Sequence, residues 1–238
     1  MALARGVLLA LRGKKALPSV VVCPPFPALA DVRKVVARSH VLLGAQDVFW
    51  EEVGAYTGEI SVRMLSEHGV THVIVGHSER RALGETDEMV GKKTSAALSA
   101  GLIPILCVGE SKADRKEGNA EAVVSRQLDA ALNLIQPKGK AKLMVAYEPV
   151  WAIGTGDAAT PADAVAMHRF ILERVAKRLP GLPAFQVLYG GSVSSENAYS
   201  FLREKEVDGV LVGGASVKLK EFSDILAAAS QVIEAQGD

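Results

Sequence analysis

The sequence predicts an α/β fold, a parallel sheet covered by helices, with the length of a barrel. Three observations point there. Helical and strand-like segments take turns along almost the whole chain. The strands are short apolar runs without polar alternation, as expected where both faces of a sheet are buried. The 238 residues contain no linker, low-complexity tract or break in composition, so residues 1–238 read as one domain of a size common for α/β barrels.

Residues 2–13 set Leu8, Leu9 and Leu11 among alanines and arginines and read as a helix ending at Gly13. A first strand over 20–23 stops at Pro24-Pro25, and a helix follows over 27–38. The strand 41–44 leads into a long loop, 46–58, carrying Phe49, Trp50 and Tyr56. A helix is expected over 59–68, a strand over 72–75, a helix over 87–100 and a strand over 103–108. An amphipathic helix over 120–135 precedes the strand 142–147. Thr160-Pro161-Ala162-Asp163 is a helix start with its mechanism visible: a hydroxyl cap, proline at the first position and an acid in the first turn. That helix runs to about residue 179; a strand over 185–189, a helix over 195–203, a strand over 209–212 and a helix over 220–235 complete the chain. The count is seven strands and eight helices with a helix first, one strand short of an eight-stranded barrel.

Hydrophobic residues make up 49% and aromatics 5%, which suits an interior of valine, isoleucine, leucine and alanine. Lys+Arg and Asp+Glu both number 27, so no nucleic-acid or membrane partner is expected and any anion site must be local. Cys23 and Cys107 make no disulfide framework and fit a cytoplasmic protein. The apolar run 7–11 is too short to span a bilayer.

The chemistry concentrates where strands end. The stretch from Met144 to Gly156 delivers Glu148 at the end of a buried strand, then a stiff Pro-Val-Trp step, then a tip of small residues: a hinged lid with its chemistry at the hinge. Gly76-His77-Ser78-Glu79 follows another strand, where a helix N-terminus would keep the imidazole neutral. Tyr189-Gly190-Gly191-Ser192 and Val212-Gly213-Gly214-Ala215-Ser216 end the last two strands and offer backbone N–H groups to a phosphate. One glycine pair marks only a tight turn; two on consecutive strands say more. No metal is expected, since His72 and His77 lack clustered carboxylates or thiolates. A Schiff-base lysine would need to sit deep in a strand, and Lys142 is at a strand start.

Together these pieces resemble the triosephosphate isomerase family. The resemblance is carried by Cys23-Pro24-Pro25-Phe26, Gly44-Ala45-Gln46, Tyr56-Thr57-Gly58-Glu59, the run from Gly76 to Arg81, Gly84-Glu85-Thr86-Asp87-Glu88 and Cys107-Val108-Gly109-Glu110. The runs 147–156, 189–193 and 212–216 complete it, from about Val20 to the C-terminus.

The resemblance implies a TIM (β/α)8-type barrel, lacking the first strand, that interconverts dihydroxyacetone phosphate and glyceraldehyde 3-phosphate without a cofactor. It makes Glu148 the base and His77 the neutral electrophile, a pairing already worked out for this family. Gly154, Ser192, Gly213 and Gly214 would hold the phosphate. Trp151, Ala152, Ile153, Gly154, Thr155 and Gly156 would form the lid, with Tyr189 latching it closed, and Ser78 and Glu79 would support the site. The loop over 46–58 resembles the one that joins two subunits, so a homo-oligomer, a dimer by resemblance, is expected; a loop packed on itself is the alternative.

One departure matters. The family's first strand carries an Asn-x-Lys pair whose lysine faces the phosphate and pairs with the residue corresponding to Glu79. This sequence has no such motif, and Lys14 and Lys15 fall at the wrong end of the barrel. Losing a preorganised cation there costs on the order of 3 kcal/mol or more, roughly a hundredfold in rate. Reduced activity is therefore expected, and the alternative is a relative that binds small phosphorylated ligands with little or no turnover. Asp47 stands where the family usually has asparagine, and Asp157 where the far hinge is commonly basic. The strands over 20–23 and 209–212 should face a gap that is wetted, covered by the first helix or closed by another protomer.

Overall fold

The computed structural model describes residues 1–135, 141–153, 159–182 and 184–237. Its elements run α1 Ala2–Leu11, β1 Val20–Val22, α2 Leu29–Val36, β2 Val41–Ala45, α3 Val62–Glu67, β3 His72–Val75, α4 Ser78–Ala82 and α5 Asp87–Ser99. They continue β4 Ile103–Val108, α6 Lys112–Lys116, α7 Ala120–Leu132, β5 Lys142–Tyr147, α8 Pro161–Arg178, β6 Ala184–Tyr189, α9 Ala198–Leu202, β7 Gly209–Val210 and α10 Leu219–Gly237. The strands form one seven-stranded parallel sheet in sequence order, with β1 and β7 at its two edges. This is the expected α/β barrel type with one strand missing. No helix among the described residues is long and apolar enough to cross a membrane.

Strand parity separates two packing layers. Leu106, Val108, Val145 and Tyr147 join the large core between sheet and helices, while Ile105, Cys107 and Ala146 form a second cluster on the other face. In that inner cluster Ile74, Met144, Leu188 and Leu211 stay partly exposed. The missing strand explains it, because a closed interior would cover them. The edges show the same effect: Val21, Val22, Gly209 and Val210 are only half-buried.

Helix α1 packs against α10 and α2, burying Ala4, Gly6 and Val7. A side chain at position 6 would collide with Leu219, since a Cβ there would lie 2.5 Å from its Cδ2. The N-terminal helix thus occupies the outer layer between α10 and α2. Among the described residues it leaves the far edges of β1 and β7 without a strand partner.

Several boundaries differ from the sequence reading, each for a local reason. The first helix ends at Leu11, and Gly13 turns the chain at φ 77°. Phe26–Ala28 is a 3-10 turn ahead of α2, so the regular helix is shorter than 27–38. Helix α3 begins at Val62 because Ser61 caps it through Met64 N–H, and a Phe49–Ser61 bridge keeps the preceding residues extended. Helix α9 begins at Ala198 because the Asn197 side chain folds back, accepting from Ser194 N–H and donating to the Ser192 carbonyl. Helix α7 stops at Leu132, and β7 is confined to two residues with β6 as its one strand partner among the described residues. The short helices α4 and α6 carried no periodic signal; Ser111 and Asp114 start α6 with a reciprocal capping box. Within the 46–58 loop, Phe49 packs on Trp50 at 4.2 Å and on Tyr56 at 4.7 Å between ring centroids.

Candidate active site

Parity on β5 puts Glu148 on the inner face with Ala146, one residue past the strand. On β3 a different device turns the chain inward. Gly76 has φ 74°, a conformation that favours glycine. Its N–H donates to Glu85 Oε1 at 3.0 Å and its carbonyl accepts from Arg81 Nε at 2.8 Å. A pinned turn therefore presents His77 and Ser78.

The two strand ends meet. His77 Nε2 lies 3.1 Å from Glu148 Oε1, and the Ser78 N–H donates to Glu148 Oε2 at 2.8 Å. The His77 contact is within ion-pair range but off the line of a hydrogen bond, so Oε1 has no aligned donor among the described residues. His77 Nδ1 accepts the Glu79 N–H at 3.3 Å, which leaves the proton of a neutral ring on Nε2. The Glu148 side chain is 2% exposed and that of His77 27%, so the carboxylate is enclosed while the ring is open to a small ligand. Burial raises the Glu148 carboxyl above the ordinary glutamate value, an effect that His77 and Ser78 offset only in part. The arrangement is a desolvated, strengthened base beside a ring N–H donor.

Behind the base stands Glu110, just beyond β4 and fully buried. Its Oε1 accepts from Trp151 Nε1 at 2.7 Å, Tyr147 Oη at 3.0 Å and Arg115 Nη1 at 3.4 Å. Glu110 thus fastens residues on either side of Glu148. Arg115 also lies over the Trp151 ring at 4.4 Å and pairs with Asp163 at 2.5 Å, at the start of α8. Glu110 belongs to a motif the sequence reading quoted, but its role was missed. The available signal was its placement just past a strand, like that of Glu148.

The other expected residues divide. Ser192 Oγ donates to the Ala152 carbonyl at 2.6 Å, joining the end of β6 to the turn Val150–Ala152. Tyr189 is buried and stacked on Phe201 at 4.0 Å; burial pushes its phenol up to about 12, and its hydroxyl faces the Ala159 backbone without an aligned hydrogen bond. Gly213 and Gly214 lie exposed beyond β7, with open space where a Cβ would stand. Ile153 is half-buried after the Trp151 turn, whereas Gly154, Thr155, Gly156 and Asp157 lie outside the described residues. Glu79 is 83% exposed, and among the described residues only the His77 ring, 4.0 Å away, lies within ion-pair distance of its carboxylate. Lys14 and Lys15 precede β1, at the end of the sheet opposite this rim.

Comparison with known proteins settles the family. The family model described as triosephosphate isomerase matches residues 2–229. The chain belongs to the triosephosphate isomerase family. It is 53% identical over 211 residues to the triosephosphate isomerase of Roseiflexus sp. (strain RS-1), covering 87% of this chain and 83% of that one. It is 50% identical over 218 residues to that of Thermoanaerobacter pseudethanolicus, covering 90% and 87%. With that of Azoarcus sp. (strain BH72) it shares 51% over 210 residues, covering 88% and 86%. As a member of the triosephosphate isomerase family the chain is an isomerase.

A second group that sequence reading missed supports the His77 side of the rim. Lys93, 2% exposed, donates to Asp47 at 2.7 Å and to Glu85 at 2.8 Å, and Arg80 pairs with the same two carboxylates at 2.8 and 2.7 Å. Two cations and two carboxylates balance. The aspartate that departs from the family's usual residue here has two positive partners. Burial alone would raise the Glu85 carboxyl, but the Lys93 and Arg80 hydrogen bonds more than reverse it and hold it below its ordinary value.

Proposed function

We propose that this chain interconverts dihydroxyacetone phosphate and glyceraldehyde 3-phosphate through an enediolate, in the cytoplasm and without a cofactor. The observation that carries the reading is the enclosed Glu148 carboxylate 3.1 Å from His77 Nε2. A base abstracts the proton from the carbon beside the carbonyl while the imidazole N–H polarises that carbonyl, and neither group moves far between the two carbons. Ser192, Gly213, Gly214 and Gly154 hold the phosphate, residues 151–156 close over it and Tyr189 latches the closure. One domain spans residues 1–238, and it works as a homodimer through the 46–58 loop. That loop's Val53 is 73% exposed, which supports a surface awaiting a partner.

A second reading has its own observation. The Glu79 carboxylate has no cation within ion-pair distance among the described residues, so the charge expected to neutralise phosphate and enediolate is not supplied there. The chain would then bind small phosphorylated ligands with little or no turnover. A coupled assay of glyceraldehyde 3-phosphate isomerisation beside a dihydroxyacetone phosphate titration separates the two. Turnover abolished by Glu148→Gln supports the isomerase; binding without turnover supports the second reading.

A further inference from the structure

β5 ends at Tyr147, so the backbone of Glu148 depends on what lies beside it. Its N–H donates to the Val108 carbonyl at 2.8 Å. The next residue, Gly109, lies so close that a Cβ built on it would stand 1.8 Å from the Glu148 carbonyl oxygen. Gly109 is held in turn by one side chain from the helical layer. Gln127 on α7, 5% exposed, accepts the Gly109 N–H through Oε1 at 2.8 Å and donates to the Gly109 carbonyl through Nε2 at 3.1 Å. The amide supplies the donor and acceptor of a neighbouring strand at the residue where β4 has ended. Its neighbours on the buried stripe of α7 are Val123, Val124, Leu128 and Ala131. An amide there costs stability unless its polar groups are paired, so packing alone would favour an apolar residue.

We propose that Gln127 is a positioning residue for the Glu148 base, acting through Gly109. By fixing both polar groups of Gly109 it fixes the surface on which the Glu148 backbone rests. That sets how deeply the carboxylate sits between His77 and Ser78. The proposal deepens the isomerase reading and rests on Glu148 being the base.

The test compares Gln127→Met, which keeps the volume and removes both hydrogen bonds, with Gln127→Glu, which keeps the acceptor for Gly109 N–H. Because misplacing a catalytic group by about 1 Å can cost up to a hundredfold, kcat should fall roughly tenfold in Gln127→Met with KM within about twofold, and less in Gln127→Glu. In parallel, the Glu148 carboxyl is followed across pH by 13C NMR, its signal assigned from Glu148→Gln. It should titrate lower in Gln127→Met than in the wild type, as the loosened carboxylate gains water. The NMR measurement reads the same whether turnover is fast or slow, and Gln127→Glu carries it if Gln127→Met does not fold. An unchanged Glu148 titration and kcat in a folded Gln127 variant overturn the positioning role. Full turnover by Glu148→Gln overturns instead the assignment of Glu148 as the base, on which the proposal rests.

Discussion

His77 and Glu148 arrive from the ends of β3 and β5 and face each other at 3.1 Å, with the Ser78 N–H holding the second carboxylate oxygen at 2.8 Å. A carboxylate enclosed this far is costly to ionise, and the cost has consequences for both rate and stability.

For the rate, the base must be deprotonated. Burial raises the Glu148 carboxyl, so kcat/KM should fall on the acid side at a pH above the ordinary glutamate value of about 4.3. A pH–rate profile checks this; an acid limb at or below that value would contradict the burial argument.

For stability the direction is opposite to that of a salt-bridged acid. A carboxyl raised in the folded state stabilises below its unfolded value, and that contribution disappears as pH rises through the folded value. Near pH 7, therefore, ionised Glu148 works against folding. Glu148→Gln should melt higher than the wild type at about pH 7, with the difference shrinking toward about pH 4. Calorimetry at the two pH values decides it.

Glu85 has the reverse sign. Its carboxyl is held low, so its contribution is present above the unfolded value of about 4.3 and lost as pH falls through the folded value. Lys93→Met leaves Asp47 and Glu85 buried with Arg80 alone, and should cost about 3–5 kcal/mol by urea unfolding near neutral pH. A cost under about 1 kcal/mol would mean water already reaches those carboxylates.

How much of this was legible in the sequence depends on the range of the interaction. The alternation of short apolar strands with helices marked all seven strands, and counting them exposed the missing one. Boundaries set by a single side chain, such as the Ser61 cap and the folded-back Asn197, fell inside otherwise helical patterns and went unread. Glu148 and His77 were legible because each follows a strand in a recognisable motif. Lys93 and Gln127 were not, because each acts on partners distant in sequence. Their one local signal is a polar residue on a buried helix face.

Tyr147 tests the support behind the base. Its hydroxyl donates to the fully buried Glu110, which has no donor for its other oxygen among the described residues. Tyr147→Phe should cost about 1–3 kcal/mol by chemical unfolding, since it removes one donor from a buried carboxylate.

Gly190 is packed against the base itself: a Cβ there would lie 2.9 Å from Glu148 Cγ. Gly190→Ala should lower kcat by roughly tenfold or more through displacement of the carboxylate. Steady-state kinetics check it, with thermal melting to confirm that the variant is folded.

The most direct measurement is deuterium incorporation. Dihydroxyacetone phosphate incubated with the protein in D2O should take up deuterium at the carbon that loses its proton to Glu148, and Glu148→Gln should abolish the uptake. Equal uptake by the Gln variant would contradict the assignment of Glu148 as the base.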